Sequence, residues 1–404
     1  MCKICINENL EGLKELNCSG CIRITKIPNI KGLKKLICFS CPSLLEINSI
    51  KGLQILDCYR SRFIEKISNI KGLKKLYCSG CPLIVEIPLI KSLQKLDCSY
   101  CPLIRSIPII KELKKLVCSG CILIPNIPNI NKLNKLICDK CPLIRDIPYI
   151  KSLKKLICYN CPLIKEIPLI NGLIELNCGN CILIEEIPSI KELNTLTCFN
   201  CPLLTKIPNF KKLSILYCFY CPALIEIPLF RKLKKLICTG CILIPNIPNI
   251  DGLTTLICSN CPLITSIPNI EGLTQLDCFN CQSLLSVPYI NGLKRLTCNN
   301  CPSLAYIPNI YYSTYTEELL KLPYIGSKYL VNNNSLRLYN NIYSLWKHYK
   351  LKKYILYLEK EYYSNPQMPY MKYYISNELY DKDESKLKIG YINSKKELIW
   401  YRLD

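Results

Sequence analysis

Histidine occurs once in this chain, at position 348, so the side chain that most often carries protons near neutral pH is almost missing. That single copy sits in Leu345-Trp346-Lys347-His348, where a solvated or packing role is the default. No Gly-rich loop able to cradle phosphate is present, and no Gly-x-Ser-x-Gly elbow. No run of about 18 uninterrupted apolar residues occurs, so no membrane span is expected. The opening MCKICINENLEGL has no basic segment followed by a long apolar one, and no secretory signal is expected from it. From residue 311 onward there is no cysteine, so no nucleophilic thiol lies in that part. These absences leave little for catalysis to use. The chain is expected to be non-enzymatic and to need no cofactor.

What the chain has in abundance is repetition. A twenty-residue unit, cleanest at KSLKKLICYNCPLIKEIPLI (151–170), recurs fifteen times from Glu11 to Ile310 without insertion or deletion. A fixed period of this length marks a solenoid, whose units are too small to bury an apolar face alone and must stack. Aligning the repeats with one another separates the buried columns from the free ones. The columns of Leu13 and Leu16 hold only Leu, and that of Cys18 only Cys. The Cys21 column is Cys except for Ser61. The Ile24, Ile27 and Ile30 columns hold only Ile, Leu, Val or Phe. Spacings of two or three residues match neither an α-helix nor one continuous strand. Leu-x-x-Leu-x-Cys suits a short strand with Leu16 and Cys18 on one face. Ile24, Ile27 and Ile30 suit extended or 3₁₀ backbone on the opposite side. Proline follows the Ile27-type residue in thirteen of the fifteen repeats, which excludes an α-helix there.

At these residues the chain resembles the leucine-rich repeat family in its cysteine-containing form, read here as Leu153-x-x-Leu156-x-Cys158-x-x-Cys161-x-x-Ile164. The resemblance covers residues 11–310. It implies a solenoid with a parallel β-sheet on its concave face, an extended or 3₁₀ convex side, and partner binding on the sheet. The departure from the pattern is Cys where a third Leu is usual; Cys is small and apolar enough for a buried column. The Ile/Lys/Asn/Tyr-rich composition looks like leucine-rich repeat proteins encoded by giant DNA viruses of the mimivirus group, which implies the interior of a host cell.

Thirty-one cysteines without a secretory signal read as thiols of a reducing, cytoplasmic compartment. Cys18, Cys21, Cys38 and Cys41 have the two-sixteen-two spacing of a four-thiolate zinc site. Sites shared between neighbouring coils would impose a forty-residue alternation on the flanking residues, and there is none, so buried structural thiols are the preferred reading and no metal ligand is assigned. The formal net charge is +23, and residues 311–404 supply 15 Lys or Arg against 10 Asp or Glu, leaving +18 for the rest. Such an excess favours acidic partners, nucleic acid or anionic surfaces.

Outside the array, residues 1–10 are expected to form a cap strand through Lys3-Ile4-Cys5-Ile6. Repeats two and three are the least regular: Asn48 and Ser68 replace proline, Ser61-Arg62-Phe63 replaces Cys-Pro-Leu, and a local bend is expected there. CSGCILIPNIPNI from Cys118 and CTGCILIPNIPNI from Cys238 are near copies, a sign of block duplication. Residues 311–404 hold eighteen of the twenty-seven tyrosines and read as a mostly helical cap or small α+β domain. Thr314-x-x-Glu317 can cap a short helix. Helical spacing predicts helices over 335–363 and around 371–379, and a strand pair over Lys388 to Leu403. The basic stretch Lys347 to Tyr354 would suit docking on a calmodulin-like protein or an anionic surface.

The candidate site is the outer face of the sheet. If Leu16-type residues point inward, their neighbours on the strand point outward. One outward row contains Lys35, Lys75, Lys115, Lys135, Lys155 and Lys235. The next contains Tyr77, Ile137, Ile157 and Tyr217, and Tyr159, Phe199 and Phe219 lie just beyond. Lysines beside apolar and aromatic residues fit a protein partner first. Basic residues interleaved with aromatics also fit nucleic acid or another polyanion. A third reading makes the aromatics mere sheet stabilisers and the lysines solubilising charges.

Overall fold

The computed structural model describes residues 2–6 and 9–305, together with the backbone of 387–392 and 398–403. The chain forms two compact units, Met1–Thr316 and Glu317–Asp404.

Each repeat of the first unit contributes one three-residue strand, from Glu15–Asn17 to Arg295–Thr297. The fifteen strands pair in parallel and in strict sequence order, with equivalent residues as partners, such as Leu156 opposite Leu136 and Leu176. Register is fixed by burial: the central Leu of each strand faces inward, and a slip of one residue would turn that row into water. Opposite the sheet the backbone is extended, and no helix of either α or 3₁₀ type occurs among the described residues. Turns closed by i to i+3 hydrogen bonds bend each coil back, for instance Leu153 N–H to Ile150 O at 3.0 Å and Ile164 N–H to Cys161 O at 3.2 Å. The expected solenoid with inward leucines, isoleucines and thiols is therefore observed: the Leu36, Cys38, Cys41, Leu44, Ile47, Ile50 and Leu53 positions are buried in coil after coil. Full burial of each Leu or Ile stabilises by about 1.5–3 kcal/mol.

The turn after each strand requires left-handed backbone. Every tenth position of the repeat has positive φ, including Asn160 at 60° and Gly120 at 68°. Ten of these fifteen positions are Gly or Asn, the residues that adopt this conformation at least cost. Where a bend was expected, the loss of proline adds backbone pairing instead. Ser68 has the N–H that proline lacks and donates it to Ile47 O at 2.8 Å, and Glu46–Ile47 pairs in parallel with Lys66–Ile67 as a second small sheet.

All thirty-one cysteines are free thiols. The two cysteine columns differ in kind. Most Cys38-type thiols make no bond to a carbonyl, with Cys18 and Cys98 reaching Ile37 O and Val117 O in the following coil at 3.5 and 3.6 Å, whereas the Cys41-type thiols donate to the carbonyl of the Cys18-type residue in the preceding coil. Cys41 Sγ lies 3.1 Å from Cys18 O, Cys161 Sγ 3.1 Å from Cys138 O and Cys221 Sγ 3.0 Å from Cys198 O. Ser61, the single exception in that column, makes the same bond, from Oγ to Cys38 O at 2.7 Å. The Cys18, Cys21, Cys38 and Cys41 set is thus distributed between two packing roles and is not gathered around one point.

The amino-terminal residues differ from expectation: residues 3–6 form a turn and no strand, with Cys5 N–H bonded to Cys2 O at 2.9 Å. The turn brings the sulfurs of Cys2 and Cys5 against Cys21. Burial opposes ionisation of Cys21, but N–H groups of Arg23 and Ile24 and the two neighbouring thiols outweigh it and bring this thiol down to about 7. The hydrogen bond to Cys21, with burial and Cys2, pushes Cys5 up to about 12.

In the second unit Leu387–Ile392 pairs antiparallel with Leu398–Leu403, matching the strand pair expected over Lys388 to Leu403. The helices expected over 335–363 and around 371–379, the 314–317 cap and the 347–354 docking stretch lie outside the described residues.

Candidate functional site

On the sheet, side chains alternate, so the residues flanking each buried Leu form two outward rows. In the first row, parallel pairing places Lys75, Lys95, Lys115, Lys135 and Lys155 directly beside one another on five successive strands. Adjacent strands lie about 4.8 Å apart, and like charges facing each other at that spacing are destabilising. Lys155 relieves its end of the run through an ion pair with Glu175 at 2.6 Å. Lys75, Lys95, Lys115 and Lys135 make no ion pair among the described residues. Burial, then the amines of Lys155 and Lys115, lower the affinity of Lys135 for its proton.

Some other rows of the array pair their charges. Glu112 and Lys132 stand one coil apart in one row and pair at 2.7 Å, and Glu192 and Lys212 repeat the device at 2.5 Å. Lys35 pairs with Glu15 at 2.7 Å. A row of five lysines with an acid at one end also occurs at the turn, Lys31, Lys51, Lys71, Lys91 and Lys111 after Glu11; what sets Lys75 to Lys155 apart is strand pairing, which holds them side by side.

The second row is less open than the pattern suggested. Tyr77, Ile137 and Ile157 are half-buried, and Val117 is 9% exposed, because side chains of adjacent coils cover one another. Asp97, also in this row, accepts hydrogen bonds from Ser99 N–H at 3.1 Å and Oγ at 2.8 Å. The aromatics beyond are engaged within the array. Phe199 and Phe219 stack with centroids 4.7 Å apart and planes 5° from parallel, and Phe219 meets Tyr220 edge-on at 5.8 Å. Lys235 lies over the Tyr217 ring at 5.3 Å. Tyr159 is half-buried, and burial leads the causes that push its hydroxyl above the usual tyrosine range.

The candidate residues thus fall into two groups. Lys75, Lys115, Lys135 and Lys155 form one continuous strip with Lys95, flanked by Tyr77, Ile137 and Ile157. Phe199, Tyr217, Phe219 and Lys235 form a separate, self-packed cluster farther along, and Lys35 stands apart with its own acidic partner. Sequence reasoning missed the left-handed turn row. Within it Tyr100 lies across the next coil's Gly120, where a Cβ would come within 2.8 Å of the ring. Tyr220 lies across Gly240 in the same way. The near-identical blocks from Cys118 and Cys238 carried this signal, since a tyrosine precedes each by one coil.

A scan of family models finds no match, and a search of curated proteins finds none either. Among solved structures the chain is similar to YopM from Yersinia enterocolitica WA-314, at 17% identity and a TM-score of 0.52, over 74% of this chain and 72% of that one. The fold is a leucine-rich repeat solenoid. A leucine-rich repeat protein from Bacteroides ovatus ATCC 8483 also matches, at 16% identity and a TM-score of 0.34, over 69% of this chain and 85% of that one. The resemblance to giant-virus proteins rests on composition alone. No helix among the described residues is long and apolar enough to cross a membrane.

Proposed function

We propose that this solenoid is a non-enzymatic scaffold in a reducing, cytoplasmic compartment, and that it binds an acidic protein segment along the strip Lys75 to Lys155. The observation that carries this reading is the run of five lysines in strand register with a carboxylate at only one end. Folding tolerates the repulsion, and an acidic partner would relieve it. The half-buried Ile137 and Ile157 beside the strip offer apolar contact in the same footprint. Nucleic acid is the weaker reading, because the aromatic rings that would stack on bases are stacked on each other or laid across neighbouring coils.

Charge reversal of Lys95, Lys115 and Lys135 to Glu provides the test, using polyglutamate and a single-stranded RNA homopolymer as probes. Wild-type protein should bind polyglutamate with an affinity that falls as salt rises. The triple variant should lose at least about 10-fold, the equivalent of about 1.4 kcal/mol. Its resistance to urea should be equal or slightly higher, because the 75–95 and 135–155 pairs change from repulsive to attractive, at about 0.2–1 kcal/mol each, while 95–115 and 115–135 stay like-charged. Unchanged polyglutamate binding by the variant, or tighter binding of the RNA than of polyglutamate by the wild type, would remove the proposal.

A further inference from the structure

The thiols of the Cys41 column follow one rule, and Cys21 alone departs from it. Each later member donates to a carbonyl 23 residues earlier, as Cys41, Cys81, Cys101 and their successors do. Cys21 has no coil in front of it in the structure. The Cys2–Cys5 turn lies there instead, and the contacts become sulfur to sulfur: Cys2 Sγ at 3.5 Å and Cys5 Sγ at 3.3 Å from Cys21 Sγ. All three sulfurs lie within 4.8 Å of one another, the one such grouping of potential metal ligands among the described residues.

We infer that Cys2, Cys5 and Cys21 form a three-thiolate site for a soft metal ion, Zn²⁺, which ties the amino-terminal turn to the first coil. Sulfurs at the corners of a tetrahedron with Zn–S bonds of about 2.3 Å stand about 3.8 Å apart. The two separations to Cys21, 3.5 and 3.3 Å, fall a few tenths of an ångström short of that edge and the third does not exceed 4.8 Å, so small side-chain rotations close the site. A disulfide, at about 2.05 Å, would need far larger movement and would use only two of the three sulfurs. The spacing Cys2-x-x-Cys5-x₁₅-Cys21 places two ligands on a tight turn and the third on the body, an arrangement common to thiolate zinc sites. Cys2 and Cys5 are partly exposed, so an ion can enter and water can fill the fourth position. The interior thiols are sealed in the core and already occupied as packing groups or hydrogen-bond donors. A solenoid also needs its open end covered, and a five-residue turn buries too little apolar surface to hold itself there. Binding of the ion would supply that attachment, since metal affinity adds directly to the folded state.

The full chain, purified with reductant and without added metal, should take up about one Zn²⁺ and give a sulfur-to-cobalt charge-transfer band when Co²⁺ alone is added. Cys5→Ser and Cys2→Ser should each weaken Zn²⁺ binding by more than about 100-fold, beyond the 10–100-fold that losing an outer-shell partner costs. Cys301→Ser, at the far end of the array, is the control and should leave uptake unchanged. Circular dichroism should be the same for all three variants, because Cys2 and Cys5 lie outside the repeats and Ser at position 301 keeps a donor for Cys278 O. Absence of Zn²⁺ uptake by the reduced protein, uptake indifferent to Cys2→Ser and Cys5→Ser, or uptake equally sensitive to Cys301→Ser would each overturn the site.

Discussion

Raising the pH from 8 to 10 in the presence of reductant should unfold the solenoid in one steep transition. Eleven thiols of the inner column, from Cys38 to Cys258, are held well above the ordinary thiol value of 9.0. For Cys38 burial is the leading cause, and for the others a neighbouring thiol's hydrogen bond leads and burial follows. The sign follows from proton counting. Below pH 9 both folded and unfolded chains keep these protons, and the full stability is present. Above it the unfolded chain releases them while the folded chain cannot, so stability falls as pH rises. Each such thiol removes up to about 1.4 kcal/mol by pH 10, less where its partner in the other column is lowered, as Cys101 and Cys281 are, so the total is on the order of 10 kcal/mol, comparable to the whole stability of an ordinary domain. Circular dichroism and thiolate absorbance, followed together, should change at the same pH and with the same steepness. Gradual thiolate formation with the sheet intact would show that the inner sulfurs reach water without unfolding.

The fold was legible because the pattern of burial is written fifteen times. Seven columns that hold only Leu, Ile, Val, Phe or Cys, apart from Ser61, define the inside, and Ile-Pro at the Ile27 column removes the helix from the other side. Less legible was the reason for each choice. Gly and Asn at the turn row, Gly120 and Asn160 among them, follow from positive φ, which no hydrophobic pattern encodes. The Cys2–Cys5 turn was read as a strand because residues outside the period have no register to place them. A zinc site was sought at Cys18, Cys21, Cys38 and Cys41, where spacing matched. Stacking of the coils sets those sulfurs to other tasks and leaves only Cys21 facing a second pair.

The binding face was legible in part, for a related reason. In-register stacking turns any column into a row in space, so the succession Lys75, Lys95, Lys115, Lys135, Lys155 could be read directly. Whether an outward side chain is free depends on what the next coil places beside it. Phe199 against Phe219, and Tyr100 across Gly120, pair one coil's ring with the next coil's residue at the same or an adjacent row. Reading each row for its composition showed aromatic content and not its mutual cover.

Exchange of single sulfurs should separate the two cysteine columns by opposite preferences. At Cys161 the thiol donates to the carbonyl of Cys138, which no backbone N–H reaches among the described residues. Cys161→Ala strips that buried acceptor of its partner and should cost about 1–3 kcal/mol. Cys161→Ser keeps a donor and should cost clearly less, as Ser61 already demonstrates in its own coil. At Cys158, fully buried beside the Cys181 thiol and with no carbonyl acceptor for its own thiol among the described residues, the order should invert. Cys158→Ala leaves a gap about the size of one sulfur, costing about 1 kcal/mol, whereas Cys158→Ser buries a hydroxyl without a partner at about 1–3 kcal/mol. Urea unfolding at pH 7 gives the four values, and the test lies in the crossing of the two series. If Ser and Ala rank alike at both positions, the thiol-to-carbonyl bond contributes nothing, and the invariance of the Cys41 column reduces to size alone.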